Sequence, residues 1–329
     1  MRLYSRVFAI ALCIVPIAGI ARNYSPAFLR AMRRGAKAEI RLVVRDDEGT
    51  PVAGASVCAV FEMPDDELYF FGKTDTNGAW VVRGKTNGNY IKFLVGKDGF
   101  YGSQREISYI MMGAEHEVRD GKWQPYGADE MIVLRRILNP VELIHQDGEF
   151  EIPGTNRWFA FDIKEMDWVP PHGNGKVNDI CIFFEWDGKP LYMSEFQRLF
   201  VRFPNVLDGA YIQQKSKSSY NRYSYGANPS ADFEKEFCFL RMVENGRHVL
   251  RLVDTDTEML FRIRSQTNNV GEIVSCRYGR FSGIDFGGGN DGKGFLCLST
   301  HLNPKLNDPN LESLETAEMA RKFIQHCEE

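Results

Sequence analysis

Residues 39–101 repeat one arrangement: a short run of alternating apolar residues, then a tight turn built on Gly, Asn or Asp. Ile40, Leu42 and Val44 alternate with polar neighbours and lead into Asp46-Asp47-Glu48-Gly49-Thr50-Pro51. Val52-Ala53-Gly54-Ala55 follows, then Thr74-Asp75-Thr76-Asn77-Gly78 and Lys97-Asp98-Gly99-Phe100-Tyr101. A period of two puts one set of side chains on one face of a strand, and Asn-Gly or Asp-Gly pairs accept the positive φ of hairpin turns. Short strands at this spacing predict a two-sheet β-sandwich.

The same reading extends along the chain. Alternation predicts strands at 39–45, 56–61, 69–74, 79–83, 90–95 and 131–135, which make a first domain over residues 39–139. Further strands are expected at 157–163, 179–186, 198–203, 236–242, 247–253, 258–264, 271–278 and 294–302, with an aromatic and β-branched load that favours strand over helix. The fold class is therefore all-β: an N-terminal Ig-like two-sheet sandwich, then a larger antiparallel β-sandwich or jelly-roll-like domain over 140–329. Leu314, Ala317, Ala320, Ile324 and Cys327 share one helical face, which predicts a short C-terminal helix docked on the second domain.

The N-terminus reads as an export signal over residues 1–21. Arg2 and Arg6 precede an apolar run at 7–20, and Gly19 and Ala21 stand at the −3 and −1 positions of a cleavage site. The run is shorter than the roughly 20 residues a spanning helix needs. Arg22, Arg30, Arg33, Arg34 and Lys37 make residues 22–38 a basic lead-in, and positive charge there resists translocation. Cleaved export to the periplasm, cell surface or extracellular space is the expectation. An uncleaved anchor, the one route to membrane contact, and a cytoplasmic chain are the alternatives. Net charge is −4 with both signs interspersed, so no nucleic-acid surface is expected. Beyond Cys13, Cys58, Cys181, Cys238, Cys276, Cys297 and Cys327 show no disulfide framework; buried thiols and one or more bridges both remain open.

Val52-Ala53-Gly54-Ala55, Lys73 to Gly78 and Lys97 to Tyr101 resemble the carboxypeptidase regulatory-like, or prealbumin-like, domain, a β-sandwich accessory module of extracellular bacterial proteins. Phe161-Asp162-Ile163, Asp167 to Gly173, Tyr278-Gly279-Arg280 and Leu302-Asn303-Pro304 resemble segments of uncharacterised exported bacterial proteins in which such a sandwich leads a β-rich domain. The resemblance implies fold and compartment and no activity.

Catalytic motifs are sparse. None of His116, His145, His172, His248, His301 or His326 begins a zinc-peptidase pair, so no metal is expected. Gly287-Gly288-Gly289-Asn290-Asp291-Gly292 has the spelling of a dinucleotide loop, but β patterns flank it and predict a flexible hairpin loop instead. Asp46-Asp47-Glu48, Asp65-Asp66-Glu67, and Asp75 with Asn77, lack the spacing of a calcium loop and read as turns. Glu185 and Asp187 share a strand face, the minimal geometry for a glycoside hydrolase. No nucleophile elbow is present. The chain is expected not to be an enzyme and to need no cofactor.

Two segments carry binding chemistry. Residues 208–228 hold Tyr211, Tyr220, Arg222, Tyr223 and Tyr225 among Ser, Asn and Gly, the mixture of flat amphipathic rings and adaptable hydrogen bonds found in binding loops. Trp168, in Asp167-Trp168-Val169-Pro170-Pro171-His172-Gly173, is the second candidate contact, on a stiffened loop. The expected function is binding or presenting a ligand, a glycan or an envelope protein, at the cell envelope. A structural envelope component and a polysaccharide-processing hydrolase are the alternatives.

Overall fold

The computed structural model describes residues 24–110, 117–189, 196–216, 222–244, 247–251, 257–289 and 292–328. The expected export signal and Tyr220 lie outside these residues.

The chain starts with α1 (Pro26–Arg34). The Ser25 side chain caps it by accepting from the Phe28 N–H at 3.1 Å, and Pro26 takes a first-turn position that needs no N–H. Gly35, at φ 72, ends it. Phe28 and Ala31 bury against the strands that follow, Phe28 edge-on to Trp123 at 5.5 Å. Part of the basic lead-in thus belongs to the first core.

The strands of the first half are β1 (Ala36–Asp46), β2 (Ser56–Glu62), β3 (Glu67–Lys73), β4 (Ala79–Thr86) and β5 (Ile91–Gly96). Short pieces follow, β6 (Phe100–Tyr101), β7 (Ser103–Ile107), β8 (Val118–Arg119) and β9 (Lys122–Trp123), and then β10 (Ala128–Arg136). One sheet runs β6-β10-β1-β9-β8, with β4 also on β1; the other runs β3-β2-β5-β7. Their facing residues form one core that includes Ile40, Leu42, Val44, Val57, Phe61, Phe93 and Trp123. The acidic runs serve the turns. Asp46 Oδ1 accepts from the N–H groups of Glu48 and Thr50, and Asp75 Oδ1 from those of Asn77 and Ala79. Gly78, at φ 70, has no room for a side chain, since a Cβ would stand 2.3 Å from the Val44 carbonyl oxygen.

The second half contributes β11 (Ile144–Ile152), β12 (Trp158–Asp162), β13 (Asp167–Trp168), β14 (Ile180–Glu185), β15 (Phe196–Arg202) and β16 (Gly209–Gln214). It continues with β17 (Glu236–Glu244), β18 (Arg247–Arg251), β19 (Thr257–Thr267), β20 (Ile273–Gly288) and β21 (Gly294–Leu302). The sheets β11-β21-β20-β19-β16 and β13-β12-β14-β15-β17-β18 stack about a core rich in Phe159, Phe161, Phe184, Phe239, Phe261 and Phe286. The architecture is all-β, as the alternation predicts. Asp208, Asp162 and Asp179 gather around Arg264 beside an irregularity in the β19–β20 register. Arg264 Nη2 meets Asp162 at 2.6 Å and Asp179 at 2.8 Å, with both carboxylates fully buried.

The Gly-rich stretch joins the paired strands β20 and β21, with Asn290 and Asp291 outside the described residues. Gly287 and Gly288 lie within β20, and the Gly289 N–H donates to the Lys293 carbonyl at 2.7 Å. Gly288 lets the Trp186 ring approach, since a Cβ there would meet it at 2.2 Å. Cys58, Cys181, Cys238, Cys276 and Cys297 are free thiols. Among the described residues, no helix is long and apolar enough to cross a membrane.

The C-terminal helix, α2 (Leu314–Glu328), corrects one expectation. Its main packing is against β2, β5 and β6 of the first sandwich, and its first turns border the second beside His145 and His301. The reason is in β2, where residues 56–61 are all buried. Val57, Ala59 and Phe61 face the core, while Cys58 and Val60 face outward and need a second cover. Ala317 and Ala320 are small enough for close approach, and they bury with Tyr101, Ile137 and Tyr225.

Candidate functional site

The tyrosine-rich segment divides into a strand and a clamp. Its first part is β16, paired along β19. Tyr211 stands on that strand with its ring edge-on to Phe233 at 5.3 Å, and its hydroxyl accepts from the Asn228 N–H at 2.7 Å. Arg222 Nε donates to the Ser216 carbonyl at 3.1 Å, and the Ser216 N–H returns a bond to the Arg222 carbonyl at 2.8 Å, closing the neck of the loop.

Beyond the neck the loop bridges the two sandwiches. The Tyr223 ring lies 4.3 Å from the Arg280 guanidinium carbon and 5.0 Å from Lys215 Nζ, while its carbonyl accepts from Arg135. The Tyr225 hydroxyl donates to the Arg136 carbonyl at 2.5 Å, beneath the Arg135 guanidinium. Glu312 completes the joint: it accepts from the Tyr101 hydroxyl at 2.9 Å and from the N–H groups of Leu138 and Asn139 at 2.8 and 2.5 Å. Tyr223 and Tyr225 therefore spend their rings and polar atoms on internal contacts.

Trp168 corrects a second expectation. It is 4% exposed, stands edge-on to Phe161 at 5.1 Å and donates its Nε1–H to the Glu151 carbonyl at 3.0 Å. Its ring plugs the core and offers no face to a ligand. The paired carboxylates of the hydrolase alternative are also engaged: Glu185 with Arg198 at 3.0 Å and Asp187 with Lys189 at 3.2 Å.

A different constellation emerges on the outer face of the sheet beneath the loop. Antiparallel register sets His145 of β11 opposite His301 of β21, and His301 opposite Arg280 of β20. The two imidazoles stack with centroids 4.3 Å apart and planes within 8°. Ser282 Oγ lies 3.1 Å from His301 Nδ1 and 2.9 Å from Ser299 Oγ, and Ser299 Oγ lies 3.4 Å from His145 Nε2. Beside the rings opens a cleft of about 360 Å³ lined by Glu142, Leu143, Ser313, Leu314, Glu315 and Glu318 as well as the two histidines. The face continues along β11 and β21 into an open groove with Asp147, Glu149, Asp285 and Cys297.

Along the same sheet, on β20 and β19, lie two buried charged side chains. Glu258 is 1% exposed; its Oε1 accepts from the Ser224 N–H at 2.8 Å and from Gln213 at 3.0 Å, while Oε2 has no partner among the described residues. Arg280 is 2% exposed and donates Nη1–H to the Leu311 carbonyl at 3.0 Å, with Nε unpartnered among the described residues. Burial lowers the pKa of Arg280, an effect that the charge of Glu258 opposes.

The arrangement is poorly suited to nucleophilic catalysis. A triad needs an acid on the ring nitrogen opposite the one that faces the serine. His145 meets both Ser299 and Asp147 through the same Nε2, at 3.4 and 3.5 Å. His301 approaches Ser282, but burial, Arg280 and His145 push its pKa down to about 3, so it is a weak base near neutrality. Among the described residues, no group of three His, Cys, Asp or Glu side chains is placed to hold a metal. What the cleft offers is neutral imidazole beside carboxylates, which suits a bound cation. In the sequence, His145 and His301 begin no zinc-peptidase pair and stand in no Ser, His and Asp arrangement. They have no local motif, because the β11–β21 register alone brings them together.

No family model matches this chain, and no curated protein matches it. Among solved structures it is similar to 3-chlorocatechol 1,2-dioxygenase from Rhodococcus opacus 1CP at 13% identity, over 32% of this chain and 62% of that one, with a TM-score of 0.24. Chlorocatechol 1,2-dioxygenase from Pseudomonas putida gives 19% identity, 31% and 60% coverage and a TM-score of 0.24. The chain thus spans about three fifths of the length of these dioxygenases. The major pilin subunit of Bacillus cereus gives 12% identity over 72% of this chain and 91% of that one, with a TM-score of 0.22. At these scores the likeness carries no activity over to this chain.

Proposed function

We propose that this protein is a non-catalytic component of the cell envelope that binds an amine-bearing glycan in the His145–His301 cleft. The observation that carries the reading is the lining of that cleft, where Glu142, Glu315 and Glu318 surround a pair of stacked imidazoles. Carboxylates favour an ammonium group, and a flat uncharged ring surface suits the apolar face of a sugar. His301 stays neutral at physiological pH and so adds no opposing charge. The envelope location rests on the export pattern of Arg2, Arg6 and the apolar run at 7–20. The clamp made by Tyr223, Tyr225 and Glu312 also favours a second reading, a structural envelope component whose two sandwiches are held together as one unit.

The test is retention of the purified protein on glucosamine oligomers and on their N-acetylated counterparts, with reducing-sugar release assayed in parallel. Retention on the free amine alone, without release, supports the binding role. Equal retention on both, or none on either, removes the amine-binding reading, and release of reducing ends would make the protein an enzyme.

A further inference from the structure

The first sandwich has an edge strand with little of the usual protection. β3 ends the β3-β2-β5-β7 sheet, and among the described residues its strand pairing is with β2 alone. Natural edge strands are blunted with charges, prolines or bulges, because an open row of N–H and C=O groups invites another strand. β7, the opposite edge, follows that rule with Gln104, Arg105 and Glu106. β3 reads Glu-Leu-Tyr-Phe-Phe-Gly-Lys, with charge only at its two ends. On its outward face, Tyr69 is 56% and Phe71 55% exposed, two large rings side by side in water.

The order of residues says what fits there. Two copies of β3 placed antiparallel about a two-fold axis through Phe70 put Glu67 of each opposite Lys73 of the other. The same register sets Tyr69 opposite Phe71, so four rings meet on the outer face, and Leu68 opposite Gly72 on the inner one. A slip of one residue turns every ring to the wrong face, and a slip of two takes Glu67 away from Lys73. Hydrogen bonds from the Tyr69 and Tyr90 hydroxyls hold the Glu67 carboxyl below its usual range, so it stays ionised. The pairing is isologous, which is how a single patch closes a dimer without growing into a fibre.

We infer that β3 is a homodimerisation edge, through which two copies of this chain form one continuous eight-stranded sheet. Cross-strand aromatic pairs and opposite charges each stabilise such a ladder modestly. One strand pair is a small interface, so the dimer forms at micromolar concentrations.

Sedimentation equilibrium of the purified protein tests this directly. The wild type should move from monomer towards twice that mass across the micromolar range. Lys73→Glu places two carboxylates opposite each other and should weaken association at least tenfold; Glu67→Lys should do the same with two ammonium groups. An equimolar mixture of these two variants restores both opposite-charge pairs and should associate where neither does alone. Tyr69→Lys/Phe71→Lys, confined to exposed positions, should stay folded and monomeric. A wild type that remains monomeric, a Tyr69→Lys/Phe71→Lys variant that dimerises as the wild type does, or a mixture that fails to associate while its folded parts do not self-associate would overturn the inference.

Discussion

The guanidinium of Arg135, at the end of the first sandwich, lies 4.1 Å from the centre of the Tyr225 ring, on a loop of the second. With the Tyr225 hydroxyl on the Arg136 carbonyl, this contact makes a segment with the composition of a binding loop into a joint between domains. Tyr225→Ala removes one cation–π contact and one hydrogen bond, so the account predicts a loss of roughly 1–3 kcal/mol. In calorimetry the variant should unfold over a broader or more divided transition than the wild type. Small-angle scattering should show a wider range of overall dimensions, with the β-sheet signal in circular dichroism unchanged.

The Arg264 cluster is a buried polar tie in the second core. Its guanidinium spans two fully buried carboxylates, and its own N–H donates to Asp208 at 2.7 Å. Arg264→Ala strands Asp162 and Asp179 in the core and should cost about 3–5 kcal/mol, the scale for breaking a buried pair by removing one partner. Arg264→Lys should recover little of this, because a point charge cannot replace a planar fork that bridges both acids. Urea unfolding of the two variants measures both effects.

Acid should weaken the fold through His301. Its folded pKa is depressed to about 3 from an ordinary 6.5, so the unfolded chain binds a proton that the folded chain refuses. The stabilisation is fully present above about pH 6.5 and is lost as pH falls towards 3. His301→Gln keeps a neutral polar side chain and removes this titration. Its melting temperature should therefore decline less than that of the wild type between pH 6.5 and 3, and parallel curves would contradict the assignment.

The crowded side of Gly279 gives a packing test. A Cβ at this position would stand 2.3 Å from the Phe261 ring and 2.8 Å from the His301 carbonyl oxygen. Gly279→Ala should destabilise by about 1–3 kcal/mol, the scale for overpacking a filled site. Gly283→Ala, whose Cβ meets only Ser299 at 3.6 Å, should be close to neutral in the same thermal melts.

Strands that bury one apolar face could be read from residues alone. Ile40, Leu42 and Val44 alternate cleanly, and all three are fully buried. β11 escaped because its outward positions are His145, Asp147, Glu149 and Glu151, with Gly148 on the other face. β16 was hidden inside the tyrosine-rich segment, since Tyr211, Gln213 and Gln214 carry no apolar signal. Burial of Trp168 could not be told from exposure, because a stiff turn places an aromatic inward or outward depending on packing against residues such as Phe159 and Phe161. The candidate site was the least legible part. His145 comes from β11, Ser282 from β20, Ser299 and His301 from β21 and Glu318 from α2, and no local spacing marks the four elements as neighbours.

The account turns on the cleft, and calorimetric titration of glucosamine oligomers into the wild type and into Glu315→Gln/Glu318→Gln tests it most directly. Both glutamates are exposed near the start of α2, so the double variant should melt close to the wild type. The account predicts at least tenfold weaker binding in the variant and no binding of N-acetylated oligomers to either protein. Unchanged affinity in the glutamine variant would contradict the cleft as the site.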